Sequence, residues 1–249
     1  MNASELTKSL AGYNSTVNDT ANAIASATRP LAIIIISIFF LIEMDSWWKT
    51  MKQEGGGLTS ELWMEIAFKY IIAYMLVMMT GRIFGAILEI SNIAIKMINH
   101  VVPASSVDFN SELGHIKGWF IKNVITFIGG GTQFVAKLST KLIVMMRFFQ
   151  MYLLKAIGPL LVAFFVSDIT RPTAINILKY FGAVAFQGVL VFIVLRLYPA
   201  LVTSDLLSIN MSGTWESWVT AFTSIAKGII FIFLLWGSQR QAKSLLGVM

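Results

Sequence analysis

Leu142–Val166 reads LIVMMRFFQMYLLKAIGPLLVAFFV, twenty-five residues whose only charges are Arg147 and Lys155. As an α-helix it rises about 37 Å, more than the roughly 30 Å hydrocarbon core of a bilayer. A polar link, Ser167-Asp-Ile-Thr-Arg-Pro172, follows it, and then a second apolar run, Lys179–Leu201, which Pro199 closes. So short a link forces the two runs antiparallel. The reading is a helical hairpin inside a membrane, where only internally hydrogen-bonded helices or closed barrels satisfy the backbone.

Working outward, three further spans are expected. Pro30–Ile42 is thirteen residues without a charge, followed by Glu43, Asp45 and Trp47-Trp48. Extended back into Ala21–Thr28 and forward to residue 46, it reaches membrane length. Its tryptophans suit the interfacial aromatic belt. After a hinge-like Gly55-Gly56-Gly57 comes 63–90, in which Lys69 and Arg82 bracket an apolar centre and can snorkel outward. Trp218 and Trp236 bound the last span, 218–237; they are eighteen positions apart, about 27 Å along a helix. Residues 119–135 are apolar but hold Lys122 and Gly129-Gly130-Gly131, so a re-entrant segment and a full span are both open there. Residues 1–29 are polar with one narrow apolar stripe, Leu6, Leu10, Tyr13, Val17, Ala21 and Ile24, and read as an amphipathic N-terminal helix. The fold class expected is therefore all-α. A transmembrane bundle occupies 30–237, with five spans (30–46, 63–90, 142–166, 179–201, 218–237) and an unresolved sixth, and 238–249 form a tail.

Composition agrees. Apolar residues make up 56% of the 249 and charged residues 13%, about half the charge of a soluble domain. The net charge of +6 comes from scattered Lys and Arg, which points to a lipid bilayer facing them more than to a nucleic-acid patch. The loop at 198–217 has no Lys or Arg, whereas Arg240 and Lys243 lie in the tail, so the C-terminus is expected in the cytoplasm. Five spans would then put the N-terminus outside, six inside. The chain has no cysteine, and its two histidines, His100 and His115, lack metal-ligand spacing, so no metal or cofactor is expected. HExxH, a phosphate-binding P-loop and spaced carboxylate sets are absent, which points away from catalysis.

The spans are not uniformly apolar. Lys227 is midway between Trp218 and Trp236, and Thr220 and Thr223 share its helical face. A lysine at bilayer centre costs about 2.5–3.5 kcal/mol on insertion scales. It either faces a pore or partner, or pairs with a buried acid such as Glu89. In the third span Arg147, Gln150 and Gly158 fall on one side with Lys155 at its edge, a second pore- or interface-facing candidate. Gly158-Pro159 permits a bend there, and Gln187 is a lone amide suited to a helix–helix hydrogen bond. Gly81-x-x-x-Gly85 reads as a small-residue packing face.

At the 142–201 hairpin the chain resembles a known family. Tyr152-Leu-Leu-Lys-Ala-Ile-Gly-Pro-Leu-Leu-Val-Ala-Phe-Phe, the turn Asp168–Pro172 and Phe181-Gly-Ala-Val-Ala-Phe-Gln187 are similar to the central hairpin of TrbL-like inner-membrane channel subunits of type IV secretion systems. The shorter versions found in Gram-positive integrative elements are the nearest in pattern. The matching positions are Ala156, Gly158, Pro159, Leu160, Thr170, Arg171 and Tyr180/Phe181; the family often has Trp where Tyr180-Phe181 stands. The resemblance implies a homo-oligomer in the bacterial cytoplasmic membrane. Such a subunit is a channel or scaffold for conjugative transfer, works beside cytoplasmic ATPases and a coupling protein, and contacts translocated DNA or protein transiently. A small-solute transporter or channel is the competing expectation.

Overall fold

The structure, a computed structural model, describes residues 3–54, 60–102, 119–203 and 216–248. These form only helices: α1 (Ala3–Leu6), α2 (Leu10–Tyr13), α3 (Ser15–Glu54), α4 (Ser60–Val101), α5 (Trp119–Ala163), α6 (Arg171–Thr203) and α7 (Glu216–Leu245). Four are long and apolar enough to cross a membrane: α3 within Ser15–Gln53, α4 within Trp63–Val101, α5 within Phe134–Ala163 and α6 within Arg171–Leu201. The protein is thus a multi-pass, all-α membrane protein. The expected fifth span lies in α7, which is helical throughout but is not among these four. The Gly55–Gly57 hinge, His115 and most of the 198–217 loop lie outside the described residues.

Two boundaries differ from expectation. Residues 119–135 are not a separate segment but the first third of the 45-residue α5. Gly129–Gly131 cost about 1 kcal/mol each in helix propensity, and the continuous backbone ladder of α5 absorbs that cost. The N-terminal 29 residues are not one helix. Ser9 accepts from Gly12 N (3.0 Å) and caps α2, and Asn14 Oδ1 accepts from Val17 N (3.1 Å) at the start of α3. Such short polar side chains end one helix and begin the next by satisfying its orphan N–H groups. From Ser15, α3 then runs through Pro30 into the apolar span.

The chain groups into two compact units. The first comprises Met1–Thr7, Ser91–Arg147 and Phe186–Ser244; the second comprises Lys8–Ile90, Phe148–Ala185 and Leu245–Met249. In the second unit Ala32 and Ile36 of α3, Ala73 and Val77 of α4, and Val162, Ala163 and Val166 form a buried cluster. Aromatic contacts tie the same elements and add α6: Phe39 meets Phe164 edge-on at 6.1 Å, Phe40 meets Tyr70 at 4.8 Å, and Phe84 of α4 stacks on Phe181 of α6 at 4.3 Å. The outer faces of α3 and α4 remain open. Only 17% and 28% of their most apolar windows are buried, against 56% in α5 and 50% in α6. A lipid-facing surface has this composition, apolar yet uncovered by the chain.

In the first unit Tyr198 of α6 is buried, rests on Phe231 of α7 at 4.7 Å, and donates its hydroxyl to the Lys227 carbonyl at 2.6 Å. Arg147 is 1% exposed, and its guanidinium donates to the Leu6 carbonyl at 3.2 Å.

Candidate functional site

The chemistry-bearing residues of the second unit collect in two layers. Between them lies a charge-free section of α3 and α4, Pro30–Ile42 and Tyr70–Gly81. Thirteen residues lie between Arg29 and Glu43 and twelve between Lys69 and Arg82, so the section is about 20 Å thick along either helix. Long basic side chains reaching outward at both ends extend this toward the thickness of a hydrocarbon core.

The first layer is charge-balanced. Lys69 Nζ pairs with Glu43 Oε1 at 2.7 Å and lies 3.6 Å from Asp168 Oδ2. Tyr70 donates its hydroxyl to Glu43 Oε2 at 2.7 Å. Arg171 completes the set with a 2.8 Å contact to Asp168 Oδ1. Two acids and two bases thus join α3, α4 and the α5–α6 turn.

That turn explains three residues of the hairpin motif. A helix leaves its last carbonyls without partners. Thr170 Oγ1 donates to the Phe164 carbonyl at 2.7 Å, and Arg171 Nε donates to that of Phe165 at 3.4 Å while its guanidinium covers the Phe165 ring at 5.3 Å. Pro172 then falls in the first turn of α6, where its missing N–H costs nothing. Replacing Thr170 by Val keeps the shape but leaves the Phe164 carbonyl short of a donor. A loss of about 1 kcal/mol is expected, read as a drop of a few degrees in the thermal midpoint of the detergent-solubilised protein.

Gly158 is the close-approach point between α4 and α5. A Cβ there would lie 2.7 Å from Phe84 Cε2 and 2.8 Å from Thr80 Cγ2. The expected packing glycines behave otherwise. A Cβ on Gly81 would make ordinary contact with Lys155 at 3.9 Å, and one on Gly85 would meet nothing within 4 Å. Among the described residues neither meets a close neighbour, and Thr80, Phe84 and Leu88 form the buried edge of α4.

The second layer is basic. Arg29, Arg82 and Lys155 line one pocket of about 500 Å³ with Asn22, Met78, Met79 and Gly81. Lys155 Nζ donates to Asn18 Oδ1 at 2.8 Å and feels the charge of Asp19. Tyr152, one turn before Lys155, donates to the Leu10 carbonyl at 2.6 Å, and Phe148, a turn earlier still, stacks on Tyr13 at 3.9 Å. This stripe of α5 therefore seats the chain's own N-terminal segment, and Lys155 is half-buried in doing so.

The other expected site residues are dispersed. Arg147 is buried and does not open onto a surface. The Gln150 Oε1 atom is buried and accepts no hydrogen bond among the described residues. Pro159 is buried next to Gly158, and Gln187 is 2% exposed in α6. Lys227 and Thr223 are half-buried in α7, and the Thr220 side chain lies outside the described residues. Arg29 was not a sequence candidate. Its signal was available: Arg29 and Arg82 each abut an apolar run, and they pair by reflection about a point near residue 56 in the sequence, as Glu43 and Lys69 do. No family model, curated protein or solved structure matches this chain.

Proposed function

We propose that this protein is a non-enzymatic channel or scaffold subunit of a type IV secretion apparatus for conjugative DNA transfer, seated in the bacterial cytoplasmic membrane with its C-terminus in the cytoplasm. The observation that carries the reading is the α5–α6 hairpin. The residues that resemble the TrbL-like pattern are those the hairpin uses structurally: Gly158 admits α4, and Thr170 and Arg171 close the turn. The open apolar faces of α3 and α4 support insertion among lipids and sister subunits. Lys227, half-buried on α7, supplies a basic group for a path that passes a polyanion. Cytoplasmic ATPases, a coupling protein and further copies of this chain are the partners on this reading.

The test is genetic and biochemical. Deleting the chain from a donor cell is expected to reduce conjugative transfer to background, and Lys227→Leu at normal protein level to reduce it strongly. Cross-linking in mild detergent is expected to give a homo-oligomer. A strictly monomeric protein, or flux of a small solute in liposomes holding this chain alone, would overturn the assignment.

A further inference from the structure

The two charged layers differ in one respect. In the first, each of Lys69, Arg171, Glu43 and Asp168 has an opposite charge in contact. In the second, three cations surround a pocket, and among the described residues the acid that acts on Lys155 is Asp19. Among the described residues Arg29 and Arg82 make no hydrogen bond and no ion pair, and Arg29 Nε is buried. A buried donor left unmade is unfavourable, the more so on a charged group, and two guanidiniums and an ammonium around one cavity repel each other. Such an arrangement is stable when an anion with several acceptor oxygens fills the centre. Phosphate fits best, because a guanidinium meets it with two parallel N–H···O bonds.

The walls narrow the source of that phosphate. Met78 and Met79, both substantially exposed, share the pocket with the cations and continue into the open apolar face of α4 through Met75, Ile72 and Ile71. The cavity is therefore polar at one end of the charge-free section and apolar along it. That suits an amphiphile with a charged head, and the cations lie where a headgroup would sit at the edge of an apolar layer. We propose that the pocket formed by Arg29, Arg82 and Lys155 binds the phosphate of an anionic phospholipid, whose acyl chains follow the Met78–Met79 face of α4. The site is independent of the secretion reading.

Arg29 and Arg82 are the informative positions, since among the described residues neither holds another part of the chain by a hydrogen bond or ion pair. Lys155 also holds Asn18, and replacing it would loosen the N-terminal segment. The experiment is native mass spectrometry and thermal shift on the full chain in mild detergent, titrated separately with phosphatidylglycerol, phosphatidylcholine and inorganic phosphate. The expected result is retained phosphatidylglycerol adducts and a raised thermal midpoint, with little effect of phosphatidylcholine. Arg29→Gln/Arg82→Gln is expected to weaken phosphatidylglycerol binding about tenfold or more, the loss of at least one charge-assisted hydrogen bond. Lys52→Gln, remote from the pocket on the last turn of α3, is expected to bind as the parent does. A monodisperse double variant with the parent's phosphatidylglycerol affinity would overturn the site. Stabilisation by inorganic phosphate equal to that by phosphatidylglycerol would overturn the lipid as its source.

Discussion

Replacing Gly158 with Ala is expected to destabilise the protein by about 1–3 kcal/mol, the usual range for one methyl group forced into a filled core. The contact atoms explain why relaxation is limited. Phe84 Cε2, 2.7 Å from the added Cβ, belongs to a ring that is 0% exposed and stacked on Phe181 with an interplanar angle of 8°. Thr80 Cγ2, at 2.8 Å, is on a side chain whose hydroxyl already bonds the Leu76 carbonyl at 2.8 Å. Neither group is the free end of a flexible chain, so α4 and α5 must separate. The measurement is the thermal or denaturant midpoint in detergent. Phe84→Leu in the Gly158→Ala background should recover part of the loss, giving a coupling energy well away from zero. Additive effects would show that the two residues do not meet. Gly85→Ala is the matched control: with nothing near its Cβ, it should be neutral or stabilise slightly by the helix propensity of Ala over Gly.

This contrast also marks where the sequence could and could not be read. Spans α3 to α6 were legible because an apolar run of bilayer length is a one-dimensional signal, unaffected by which face meets which neighbour. The hairpin turn was legible for the same reason: Thr170 and Arg171 act on carbonyls only six residues away. Packing positions were not. A glycine pair four apart says that a smooth strip exists on α4. It does not say that the neighbouring helix lies a hundred degrees round, over Thr80 and Phe84, nor that the small residue needed is on α5. The basic stripe of α5 is legible as pore- or interface-facing candidates, but the sequence does not show that the polar N-terminal segment supplies acceptors for Arg147 and Lys155, Leu6 O and Asn18 Oδ1, from about 140 residues away. Arg29 was hidden by its own position. One residue before Pro30 it closes the polar 1–29 segment of the sequence reading, and only the antiparallel register of α3 and α4 brings it beside Arg82.

The second large effect concerns Gly188. A Cβ at this position would fall on the Arg147 guanidinium, overlapping its central carbon and both terminal nitrogens. Arg147 is among the largest fully buried side chains, and it donates to the Leu6 carbonyl. Gly188→Ala therefore combines overpacking, about 1–3 kcal/mol, with displacement of a buried charge-assisted hydrogen bond, about 1.5–3 kcal/mol. A total loss of roughly 2.5–6 kcal/mol is expected, enough to unfold much of the population of a marginally stable protein. The local consequence is separable from the global one. Because the guanidinium grips Leu6, the N-terminal residues should become sensitive to limited proteolysis at temperatures where the helices still give full circular dichroism. Arg147→Met removes the group that the new methyl would strike. In that background Gly188→Ala should add little further loss, although Arg147→Met alone already frees the N-terminal segment. If instead the two substitutions add, the glycine is required for helix geometry in α6 and not for room above Arg147.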